Sequence, residues 1–174
     1  MARLSRRCLA LGSLAVLGGC GFRPLYAPTA AGLAGASSEL ATVYVPVMTD
    51  RSGQLLRQAL QQRLDGAGSG VAKKYELVAL LTVGTEGIGI QQDNSASRVR
   101  LVGSAPWALR ALTPERTVVT QGGSRVLDGF NIANQQYFAA ELDNEVAVRR
   151  IAASLADQIV VQLAAYFQRQ AAPG

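Results

Sequence analysis

The sequence predicts a two-layer α/β sandwich, with two helices packed on one face of a four-stranded, mostly antiparallel sheet. Three observations predict it. The element order along the chain is β-α-β-β-β-α. Three of the strands follow one another with only turn signals between them, so they pair as hairpins and are antiparallel. Each helix carries one apolar stripe, so both can cover one face of the sheet and leave the other open.

Residues 40–48 (Leu-Ala-Thr-Val-Tyr-Val-Pro-Val-Met) alternate and are rich in β-branched side chains, which reads as a strand. Pro46 places that strand at an edge or ends it early. Thr49 or Asp50 then caps a helix over 51–64, whose stripe is Leu56, Ala59, Leu60 and Leu64 with Leu55 at its margin. Gly66 stops it, and 66–70 is a loop. Residues 75–85 form the second strand, with Tyr75, Leu77, Ala79, Leu81 and Val83 pointing one way. Residues 84–97 lose the alternation and read as the turning end of a hairpin. The third strand spans 98–112, with Val99, Leu101, Gly103, Ala105, Trp107 and Leu109 in phase. Thr113-Pro114-Glu115 is a tight turn. The fourth strand spans 116–127, where Gly122 and Gly123 suggest a bulge. Residues 128–134 read as loop.

A long helix covers 139–168, with Val148, Ile151, Ala152, Leu155, Ile159 and Leu163 as its main stripe and Tyr166 extending it. Glu141, Asp143 and Glu145 sit near its positive end and Arg169 near its negative end. Val160 and Val161 fall outside the stripe, which suggests an additional covering element, such as a protein partner.

Ahead of this domain the chain divides at Cys20. Residues 1–7 carry Arg3, Arg6 and Arg7 and no acid, and 8–17 is an unbroken apolar and small run. That is a secretory signal peptide, too short to span a bilayer. It ends in Leu17-Gly18-Gly19-Cys20, which resembles a bacterial lipobox, so the Cys20 thiol is expected to take a diacylglyceryl group. Arg6-Arg7 leaves open whether export is of the general or the twin-arginine kind. Removal of 1–19 leaves 155 of the 174 residues. Residues 20–38 then form a lipidated flexible tether, in which 27–38 is Ala, Gly, Ser, Thr and Pro with a single Leu33. The sandwich domain occupies 39–170.

Composition excludes several classes of function. Three of the 17 basic side chains leave with the signal, and the remaining 14 stand against 12 acids. A net charge of +2 and few aromatics argue against nucleic acid. The absence of histidine removes the commonest general base, the commonest metal ligand and every Ser-His or Cys-His dyad. Cys20 is the sole cysteine after position 19, so no internal disulfide forms. The glycines in 84–89 lack dinucleotide-loop spacing, and no helix pattern follows. Glu141, Asp143 and Glu145 read as solvated acids near a helix start, and Ser52 and Ser154 have no neighbouring base. No catalytic residue, metal ligand or cofactor is expected. Binding features remain. The sheet face away from the helices carries Val78, Leu80, Arg98, Arg100, Val102 and Arg110. The guanidinium forks of Arg98 and Arg100 suit phosphates.

Cys20-Gly21-Phe22-Arg23-Pro24-Leu25-Tyr26 resembles the mature start of lipopolysaccharide-assembly lipoproteins of the LptE family, in their alphaproteobacterial form. Ser104-Ala105-Pro106-Trp107 and Tyr137-Phe138-Ala139-Ala140-Glu141 with Arg149 and Ala152 are similar to that family too. The family's element order and sandwich match the whole mature chain. The departure at Leu142-Asp143-Asn144-Glu145 leaves the helix start open by several residues. The resemblance implies an outer-membrane lipoprotein on the periplasmic side that plugs an LptD-type β-barrel. There it would assist assembly of the barrel and delivery of lipopolysaccharide to the outer leaflet. Arg98 and Arg100 would meet the lipid head group. Gly21 after Cys20 is consistent with onward transport to the outer membrane. The alternatives are an auxiliary lipoprotein of a lipid-transport ABC system and an envelope enzyme.

Overall fold

A computed structural model describes residues 34–64, 70–90, 96–131 and 137–171. The elements are α1 (Ala34–Ala41), β1 (Val43–Tyr44), α2 (Arg51–Leu64), β2 (Tyr75–Ala79), β3 (Thr82–Ile90), β4 (Ala96–Ala111), β5 (Val118–Asn131) and α3 (Tyr137–Ala171). The expected α/β sandwich with a mixed sheet is present. The signal peptide, Cys20 and residues 27–33 of the tether lie outside the described residues.

β1 runs parallel to β2, with α2 as the crossover between them. Every other pairing is antiparallel: β2 and β3 with one side of β4, and β5 with its other side. Tyr75 pairs with Ala111, Ala79 with Trp107, Thr82 with Ser104 and Ile90 with Ala96, so β2 and β3 share a single unbroken register. They are one strand line interrupted at Leu80. That residue stands opposite Pro106 and donates its N–H to the Pro106 carbonyl at 3.1 Å. Proline has no N–H to return, which opens the ladder at this rung.

Alternation along β4 sorts its side chains as expected. Val99, Leu101, Ala105, Trp107 and Leu109 are buried under the helices, and Arg98 and Arg100 are on the other face. Leu56, Ala59, Leu60 and Leu64 of α2 join the same core. So do Ile151, Ala152, Leu155, Ile159 and Leu163 of α3. Gly103 is the contact point between the layers, because a Cβ there would lie 2.2 Å from Ile151 Cγ2. Glu145 pairs with Arg51, and Asp157 with Arg63, its Oδ2 accepting a hydrogen bond at 3.0 Å. Both pairs span the same number of residues along each helix, so α2 and α3 run parallel.

Several boundaries differ from the expectation. Residues 34–38 belong to α1 rather than to a tether. The helix packs against α3, Leu40 is buried, and Thr42 closes the end by hydrogen-bonding the Glu39 carbonyl at 2.6 Å. Only Val43–Tyr44 of 40–48 is strand, and the chain turns away at Pro46. Residues 84–90 are strand, not a hairpin end: glycine erases side-chain alternation without preventing backbone pairing with β4. β5 likewise continues through 128–131. The irregularity in β5 lies at Val119, where the register shifts between Leu109 and Arg110, and not at Gly122 or Gly123. Gly122 answers a packing need instead, since its Cβ would sit 2.7 Å from the Trp107 ring. Asp50 is the α2 cap: it accepts the Gly53 N–H at 2.9 Å and the Ser52 hydroxyl, which holds its carboxyl below the usual range.

α3 is longer than expected at both ends. Its first turn holds no acid, so Glu141, Asp143 and Glu145 lie further in. Val160 is buried in the chain's own core, because α1, α2 and the sheet all pack on this helix. It therefore needs no outside partner, whereas Val161 stays exposed.

Candidate functional site

The open face of the sheet gathers the residues that the sequence singled out. Arg98 and Arg100 are exposed neighbours on one face of β4, two residues and therefore about 7 Å apart along the strand. Register sets Arg98 between Ile88 of β3 and Asn131 of β5, and Arg100 between Glu86 and Gly129. Together with Ile88, Leu127 and Gly129, the two arginines line a concavity of about 480 Å³. Gly129 keeps it open: a Cβ there would lie 2.7 Å from the Val99 carbonyl oxygen, so no larger residue fits.

Electrostatics separates the cations of this face. Arg100 Nη1 lies 3.4 Å from Glu86, a loose and exposed pair of little energetic weight. Arg98 makes no ion pair among the described residues. Arg110, at the other end of the face, stands opposite Glu76, which is 9% exposed and also lies 3.6 Å from Arg116. Arg110 therefore belongs to a local charge cluster, while Arg98 and Arg100 keep donors to offer. Arg125 adds a third exposed cation on the same face, opposite Ser104.

The far end of β5 is tied to α3. Arg150 Nε donates to Asp128 Oδ2 at 2.7 Å and Arg150 Nη2 to Oδ1 at 3.2 Å, a bidentate pair on the helix side of the sheet. Asp128 also accepts the Gly129 N–H at 2.7 Å. The Arg150 hydrogen bond, ahead of the Gly129 bond, holds the Asp128 carboxyl below its ordinary range. This lock fixes the backbone of Leu127 and Gly129, and with it the wall of the concavity.

Sequence reading found Arg98 and Arg100 but missed Ile88, Leu127, Gly129 and Arg125. The available signal was the even-numbered alternation of Gly84, Glu86 and Ile88 opposite Arg98–Val102, hidden by the glycines. Val78 and Leu80 do share the open face, with Leu80 62% exposed, but they stand at the Pro106 break. Among the described residues no group of three or more His, Cys, Asp or Glu could hold a metal, and no helix is long and apolar enough to cross a membrane.

A helix-backed, mostly antiparallel sheet with a basic, partly apolar open face defines a two-layer α/β domain. The chain belongs to the LptE lipopolysaccharide-assembly family, whose model matches residues 40–163. It is similar to a protein of Caulobacter crescentus CB15 described as a lipoprotein, at 26% identity and a TM-score of 0.63, covering 77% of this chain and 96% of that one. The rare lipoprotein B of Shewanella oneidensis shares the fold at 12% identity and a TM-score of 0.53, over 74% of this chain and 95% of that one. Lipoprotein B of Nitrosomonas europaea does so at 12% identity and a TM-score of 0.50, over 71% and 81%. No curated protein matches the chain.

Proposed function

We propose that this chain is a non-catalytic lipoprotein of the outer membrane, anchored through Cys20 on its periplasmic side. There it plugs an LptD-type β-barrel, assists assembly of that barrel and helps deliver lipopolysaccharide to the outer leaflet. Family membership supports the assembly role. The observation that carries the ligand reading is the pairing of two exposed guanidinium forks, only one of them loosely held by Glu86, with an apolar concavity. A phosphorylated, acylated head group needs both: bidentate donors for phosphate and an apolar wall beside them. Arg98 and Arg100 supply the donors, and Ile88 and Leu127 the wall. The lipid-transport ABC alternative shares the anchor but lacks support from the family match.

The test is purification of the tagged, lipidated chain in mild detergent. Recovery of a β-barrel protein, identified by mass spectrometry, is the expected result. A preparation with no barrel, or a mature protein whose Cys20 carries no lipid, overturns the proposal.

A further inference from the structure

Apart from Arg110, which belongs to the Glu76 cluster, the open face carries three arginines among the described residues, and they form two groups. Arg98 and Arg100 make one pole, at the concavity. Arg125 makes the other. It pairs with Ser104 across β4 and β5, so it shares the face of Arg100, and it is exposed. Its neighbours there are Ser104, Leu127 and Gly123, with no acid among them, and its side chain makes no ion pair among the described residues. Gly129 pairs with Arg100, and Arg125 lies four residues before Gly129 on β5. The Cα atoms of Arg100 and Arg125 are therefore about 14 Å apart, from about 13 Å along the strand and about 5 Å across it.

The span between the poles is apolar. Val102 and Leu127 pair directly across it, Leu127 is exposed, and Gly84 stands beside Val102 on β3 without adding a side chain. The spacing is also held from behind. Gln158 Nε2 donates to the Arg125 carbonyl at 3.5 Å, and Gln162 Nε2 to Ser124 Oγ at 3.1 Å. At the other pole Arg150 grips Asp128, beside Gly129. Both ends of the span are thus tied to one helix, α3, and the strand between them pairs with β4 without a register shift. Two cationic points held at a fixed distance favour a ligand whose own anionic groups are set apart to match, because less ordering is left to be done on binding.

We propose that Arg125 is a second anchoring point of the open face, which takes a bis-phosphorylated amphiphile: one phosphate at Arg98 and Arg100, the other at Arg125, and the apolar part over Val102 and Leu127. A guanidinium fork matches a phosphate bidentately, and each pole offers at least one. A singly phosphorylated amphiphile fills one pole and leaves the other in water. The phosphate at Arg98 and Arg100 rests on the reading under Proposed function, whereas the second phosphate rests on the placement of Arg125 alone.

The test compares the affinity of the full lipidated chain for lipid A bearing two phosphates and for its monophosphorylated form, in the same detergent. The unaltered chain is expected to prefer the two-phosphate form about fivefold. Arg125→Gln is expected to lose that preference by weakening only the two-phosphate form, at an unchanged melting temperature. Arg169→Gln removes the same charge outside the face and is expected to keep the preference. Equal affinity of the unaltered chain for both forms overturns the second anchoring point and leaves the proposed function standing. So does an Arg125→Gln variant that keeps the preference or loses affinity equally for both forms. Binding of neither form by the unaltered chain overturns the pole at Arg98 and Arg100 as well.

Discussion

The two faces of the sheet are built from the same strands by alternate residues, yet they obey different rules. Beneath the helices the central positions are committed to packing: Leu101, Leu109 and Leu155 are fully buried, and Gly103 is held to glycine by Ile151. On the open face the side chains other than Glu76 are exposed or half-exposed, and charge rather than volume distinguishes them. One face therefore answers for stability, and the other is the face proposed to bind, so substitutions on the two should separate stability from binding.

The largest contrast is in apolar truncation. Leu155→Ala on the covered side should cost about 2–5 kcal/mol, through lost transfer energy and a residual cavity. Leu127→Ala, at a position 61% exposed, should change stability by less than about 0.5 kcal/mol. Urea titration of both variants measures the difference, and equal losses would break the division between the faces. The glycines give the next effect. Gly103→Ala drives a Cβ into Ile151 and should destabilise by about 1–3 kcal/mol, whereas Gly84→Ala has open space and should be neutral within about 0.5 kcal/mol.

A smaller effect concerns acid. Asp128 and Asp157 have carboxyls held low by Arg150 and Arg63 respectively. A lowered folded pKa means stability that is present above the unfolded value near 3.9 and lost as pH falls through the folded one. Unfolding midpoints should therefore drop below about pH 4, and Asp128→Asn with Asp157→Asn should flatten that part of the profile. An unchanged slope in the double variant would remove these pairs from the acid response. Both carboxylates are partly exposed, so their weight at neutral pH is modest.

How much of this was legible in the sequence follows from what carries a pattern. Faces were readable because a strand shows its burial in every second side chain, and β4 does so over most of its length. The α2 stripe was readable for the equivalent helical reason. β3 was not, because glycine has no side chain to mark a face, so a paired backbone looked like the end of a hairpin. The site lost Ile88 with it, and Leu127 and Gly129 with the end of β5, where 128–134 read as loop. α1 was hidden in small residues whose helicity depends on packing against α3, a contact that local sequence does not display. Pro106 sits in the central strand, where it opens a single rung opposite Leu80.

The central claim is that the open face binds a phosphorylated amphiphile through Arg98 and Arg100 and that folding does not depend on them. Affinity for purified lipopolysaccharide, compared among the unaltered protein, Arg98→Glu with Arg100→Glu, and Arg169→Glu as an exposed cation at the far end of α3, tests it most directly. The double variant is expected to lose at least about tenfold in affinity while its melting temperature and the Arg169→Glu control stay unchanged. Equal affinity in all three proteins would contradict the account.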